Sequence, residues 1–198
     1  MSDRPHHRPM TPGGGFFAEI AGGADPAQLR EAGDLAATVL VRGARGGGDA
    51  ELAERIVHLA DTEGLETLAE VWSGAPADTL SGSLWRLFLL RSWVHASPTR
   101  VAHEYDAGQR RAEVARVVAG VADPPGPDEL RTMVDSVLRG IAGGDFAVTL
   151  LRAAAFARIV AAGRAELGEA THEEIVRMLA MSEQLEAAGH LEIRDALA

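Results

Sequence analysis

Residues 79–95 read TLSGSLWRLFLLRSWVH, and this stretch decides the fold class. Wound as a helix at ~3.6 residues per turn, it places Leu80, Leu84, Leu87, Phe88 and Val94 on one face. Trp85, Leu89 and Trp93 cover the opposite side, so little circumference is left for water. Such a rod belongs inside a protein, wrapped by other segments. Arg91 and His95 fall within the apolar face. A buried guanidinium needs a partner, because an isolated buried charge is strongly disfavoured. Three arrangements satisfy it: an ion pair with a carboxylate from another helix, snorkelling along the helix end, or an anion-binding pocket. Arg86, Arg100, Arg110, Arg111, His103 and Tyr105 lie nearby in sequence and would serve the third.

Working outward, the pattern stays helical and shows no period-two strand signal. Residues 29–41 read as a helix ended by Gly43. Asp49 can cap the next, where Leu52, Ile56, Leu59 and Ala60 form a stripe. Gly64 breaks it, and Leu65, Leu68, Ala69 and Trp72 begin another. Ser97 followed by Pro98 is a strong helix start, with the helix running to about residue 106 and stopping at Gly108. A further helix covers residues 110–121, and the proline-rich 123–127 segment then interrupts the chain. Leu130, Met133, Val134, Val137, Leu138 and Ile141 form a regular apolar stripe ended by Gly143 and Gly144. Residues 146–162 are apolar almost all round, which marks an interior helix. Thr171 and Glu174 make a capping box for the last helix, through Ile175, Met178, Leu179 and Leu185. The expected fold is all-α: a compact single-domain helical bundle or array of about eight or nine helices around the central apolar helix at 80–95. Residues 1–15 are expected to be a disordered tail and 16–198 the domain, with possible weak halves at 25–122 and 128–198.

Composition excludes more than it suggests. The 19 basic residues are all arginine, and the chain has no cysteine and no asparagine. Schiff-base lysines, thiol nucleophiles, disulfides and thiolate metal sites are therefore out. The bias itself is that of a GC-rich genome. Net charge is -10. Residues 49–78 hold eight acids against Arg55, residues 166–198 hold eight against Arg177 and Arg194, and only residues 86–116 are net basic. Such acidity argues against general nucleic-acid or anionic-membrane binding. The apolar run at 84–90 is far shorter than a membrane span of about 18–20 residues. The polar, glycine-rich start lacks a secretory signal, so a cytoplasmic location is expected.

Local motifs carry no strong chemistry. The glycine-rich loop at 43–49 lacks the lysine and hydroxyl residue of a phosphate cradle. A helix-turn-helix drawn through 56–73 would present Glu66 and Glu70 to DNA. His58 and Asp61, one turn beyond Glu54, are weak metal candidates, and no metal site or cofactor is expected. Ser81 and Ser83 read as helix-capping residues, and Trp72, Trp85 and Trp93 as core. The leading expectation is therefore a protein-interaction or scaffold module, with a second copy among its partners and no enzymatic role. The alternative is a protein or enzyme that binds an anionic ligand in an Arg/His pocket centred on Arg91 and His95. Arg86, Arg100, His103 and Tyr105 would support that pocket.

Overall fold

The structure, a computed structural model, describes residues 26–43, 69, 71–109, 126–142 and 145–198. Among them the chain is helical, with no strand. The elements are α1 (Pro26–Thr38), a π-helical turn (Val39–Gly43), α2 (Leu80–Ala96), α3 (Pro98–Gln109), α4 (Pro127–Ala142), α5 (Phe146–Leu167) and α6 (His172–Ile193). Six α-helices are thus found among the described residues, against about eight or nine expected. The helices expected after Asp49 and over 110–121 lie outside the described residues, as do the tail at 1–15 and the loop at 44–49. Of the helix expected from Leu65, the described Ala69, Val71 and Trp72 are helical.

The caps explain where helices start. Thr79 accepts from the Gly82 N–H and caps α2, so Ser81 and Ser83 lie inside that helix rather than at its cap. Asp145 accepts from the Val148 N–H and caps α5. Thr171 and Glu174 form the expected capping box on α6. Prolines 98 and 127 occupy first helical positions, where the missing N–H removes no intrahelical bond. Gly168 ends α5 in the left-handed conformation, φ 67°. At the other end of the chain, α1 does not stop at Gly43 as a plain α-helix. It widens into a π turn whose Arg42 reaches residues of α6 and beyond.

Burial follows the expected stripe on α2: Leu80, Leu84, Leu87, Phe88 and Val94 are buried, while Trp85 and Trp93 are partly so. The helix at the middle of the packing is nevertheless α5, which packs against α2, α3, α4 and α6. Its interior run includes Leu150, Ala153, Ala154, Phe156, Ala157, Ile159, Val160 and Ala161. Alanine and glycine let neighbouring backbones come close, and α3 exploits this. A Cβ on Gly163 would sit 1.6 Å from the Glu104 carbonyl oxygen, and one on Gly108 would sit 1.9 Å from that of Ile159. Gly108 is therefore a packing residue, and α3 runs through it to Gln109 instead of stopping there. For the same reason α5 runs through Gly163 to Leu167, beyond the expected end at 162.

The apolar run at 84–90 is not the longest apolar segment of the fold. The α5 helix, Phe146–Leu167, is long and apolar enough to cross a membrane by length and composition, with a window hydropathy of 1.6. Yet 72% of that window is buried inside the protein. Its apolarity is used by the core. One apolar cluster joins Ala37 and Val41 to residues of α2 through α6 and to Leu197.

Candidate functional site

Arg91 and His95 stand one turn apart on α2, which places their side chains on a common edge. That edge faces α4. Arg91 Nε donates to Asp135 Oδ1 at 2.9 Å, and His95 Nε2 lies 2.9 Å from the same oxygen. His95 donates there when that nitrogen carries the proton. The three side chains are 27%, 32% and 35% exposed for Arg91, His95 and Asp135, so the cluster sits at the rim of the core. Of the three arrangements open to Arg91, the coordinates show the ion pair with a carboxylate from another helix. An anion approaching this guanidinium would meet the Asp135 carboxylate already in place.

The other candidates do not converge on that cluster. Arg86 Nε donates to Gln184 Oε1 at 2.6 Å and its Nη1 to the Gly82 carbonyl at 2.7 Å. Burial lowers the pKa of its guanidinium from the ordinary value, with the Asp78 carboxylate acting in the opposite sense. His103 is exposed on α3. Tyr105 is fully buried and stacks on Phe156, with ring centroids 5.3 Å apart. Arg100 pairs within its own helix, Nε to Glu104 Oε1 at 2.8 Å. His58 and Asp61 lie outside the described residues, as do Arg110 and Arg111.

Sequence reasoning missed the more deeply buried charge cluster. Arg164 Nε donates to Glu104 Oε2 at 3.0 Å, with side-chain exposures of 8% and 4%. The Arg164 guanidinium carbon also lies 4.7 Å from the centre of the Trp93 ring, a cation–π geometry. Arg100 reaches Glu174 Oε1 at 4.0 Å, and Arg164 Nη1 approaches the Glu174 carbonyl at 3.4 Å. Two arginines and two glutamates thus tie α3, α5 and α6 together over Trp93 of α2. The Glu174 carboxyl is held below the usual glutamate range, first by the Thr171 backbone N–H, then by the Thr171 hydroxyl. Glu104 at one-turn spacing from Arg100 was the only local signal available. Its pairing with Arg164 spans sixty residues and has none.

Among the described residues, no group of three or more His, Asp or Glu is placed to hold a metal ion. A hollow of about 210 Å³ lies between the α2 approach and α6, lined by Ala77, Asp78, Glu183, Gln184, Ala187 and Ala188. It adjoins Gln184, the partner of Arg86, and none of its lining residues belongs to the Arg91 cluster. No family model, no characterised protein and no solved structure matches this chain.

Proposed function

We propose that this chain is a helical protein-interaction module that associates through the outer face of α6, with a second copy of itself among its partners. The observation that carries this reading is Val176 and Leu179. They lie three residues apart on that face and are 46% and 39% exposed. The opposite face of α6 is committed to the core through Met178, Ser182, Leu185, Ala188 and Gly189. Adjacent exposed apolar side chains flanked by charge, here the Glu173–Arg177 pair at 3.3 Å, have the composition of a small interface centre with a polar rim. The acidity of residues 166–198 suits a protein partner better than a nucleic acid. The reading includes the helices expected after Asp49 and over 110–121, which would complete a bundle of about eight or nine.

Size-exclusion chromatography with light scattering tests it. Wild-type protein is expected to gain mass as concentration rises through the micromolar range, and a Val176→Ser/Leu179→Ser variant to stay monomeric. A strict monomer for the wild type throughout that range would remove self-association from the proposal.

The anionic-ligand reading keeps Arg91 and His95 as its centre, but it requires Asp135 to give up both of them. Addition of inorganic phosphate is expected to leave the His95 ring resonances in place. A saturable shift of those resonances would reverse the preference between the two readings.

A further inference from the structure

Residues 194–198 follow α6 and fold back on the body of the protein, where they are hydrogen-bonded to two distant parts of the chain, at Arg42 and at Leu80. The turn is made at Asp195, whose φ of 52° is a left-handed conformation that non-glycine residues seldom adopt. It is closed by the Asp195 N–H on the Glu192 carbonyl at 3.0 Å and the Ala196 N–H on the Leu191 carbonyl at 2.9 Å. Leu197 then inserts its side chain into the core, 4% exposed, while Arg194, Asp195 and Ala196 stay exposed. The Leu197 carbonyl accepts from Arg42 Nη2 at 3.0 Å, and Arg42 Nη1 donates to Glu192 Oε1 at 2.6 Å. The Ala198 carbonyl accepts from the Leu80 N–H at 2.6 Å, satisfying the first backbone donor of α2.

We infer that residues 194–198 are a latch, which holds the 26–43 segment closed against the fold and opens without unfolding the α3–α5–α6 core. The attachments divide accordingly. Within that core α3 and α5 meet backbone to backbone at Gly108 and Gly163, a contact that does not loosen piecemeal. The latch is seated by the Leu197 side chain and by hydrogen bonds to the Leu197 and Ala198 carbonyls, and it leaves α6 through a strained turn at Asp195. Arg42 is the shared element, since the same guanidinium grips both Glu192 and the latch carbonyl. Beyond Arg42, the 26–43 segment is fastened by Ala37 and Val41 in the core, by the Trp72 Nε1 bond to the Gly33 carbonyl at 2.9 Å, and by Ser81 donating to Asp34. Opening would uncover the Leu197 socket and the Leu80 N–H together. The latch would thereby govern access to this end of the molecule. This inference does not depend on the α6 surface or on oligomeric state.

Hydrogen exchange read by mass spectrometry tests it on the full chain, on Leu197→Ala, on Arg42→Gln and on a chain ending after Arg194. Peptides covering 26–43 are expected to exchange about tenfold faster or more in each variant, with peptides from α5 and α6 unchanged. Unaltered exchange over 26–43 in the variants would overturn the latch. So would acceleration spread equally through α5 and α6, or a shortened chain that fails to fold, since either makes these residues part of the global core.

Discussion

Glu104 on α3 and Arg164 on α5 form the most deeply buried ion pair described, 3.0 Å from oxygen to nitrogen, inside a fold stabilised chiefly by apolar packing. Removing one member of such a pair leaves the other charge buried. Among the described residues Arg164 would keep the Glu174 carbonyl, the Trp93 ring and the field of the Glu174 carboxylate, whereas Glu104 keeps Arg100. Glu104→Leu is therefore expected to cost about 3–5 kcal/mol, Arg164→Met less, and the double substitution less than the sum of the two. Urea unfolding of the three variants measures this, and additive losses would show that the pair is not coupled.

The glycines at the α3–α5 crossing should be among the least replaceable small residues described. Gly163→Ala puts a methyl group where the Glu104 carbonyl now sits, and backbone cannot move aside as a side chain can. The loss should reach the upper end of the over-packing range, about 3 kcal/mol, despite alanine's better helix propensity. Gly189→Ala is the control. Its nearest neighbours are Leu151 side-chain atoms at 3.0 Å, which can shift, so the change should be close to neutral. Thermal midpoints of the two variants distinguish them directly.

Asp135 offers a smaller effect. Because Arg91, His95 and Asp135 are all about a third exposed, solvent screens their interactions. Asp135→Ala is expected to cost about 1 kcal/mol or less. High salt should shrink the difference between wild type and variant, and a loss several times larger would mean that the cluster lies in a much drier setting.

Glu174 gives a pH dependence of known sign. Its folded pKa is depressed, chiefly by the Thr171 N–H bond to its carboxylate at 2.8 Å. The folded state then binds its proton less readily than the unfolded chain. The stability it contributes is fully present above the unfolded value of about 4.3, and is lost as pH falls through the folded value below that. Urea midpoints of wild type and Glu174→Gln should differ most near neutrality and converge in acid. A gap that widens on acidification would contradict the assigned direction.

Much of the fold was legible because helix rules are local. The wheel of 79–95 anticipated Leu80, Leu84, Leu87, Phe88 and Val94 as buried, and Thr171 with Glu174 announced its capping box. Arg91 was also marked as a charge in need of a partner, with an ion pair, snorkelling and an anion pocket all left open. What failed has a common physical cause. Gly108 was read as a stop because a glycine's local effect is to weaken a helix, while its effect at a crossing is to let two helices touch. The hub was placed on the bulky α2 rather than on α5, whose small residues permit the closest approach. Arg91 and His95 meet on Asp135, while Arg86, Arg100, His103 and Tyr105 point elsewhere, because neighbours in sequence face different helices in space.

From its residues alone this chain is an all-helical protein, free of thiol and lysine chemistry, with most described helix starts marked by cap or proline. Those properties depend on neighbours within one turn. The pairing of Arg91 with Asp135, the burial of Arg164 on Glu104 and the seating of Leu197 beside Arg42 were settled only by how the helices cross. A crossing angle joins residues forty-four to one hundred and fifty-five positions apart, and no pattern within a single helix encodes it.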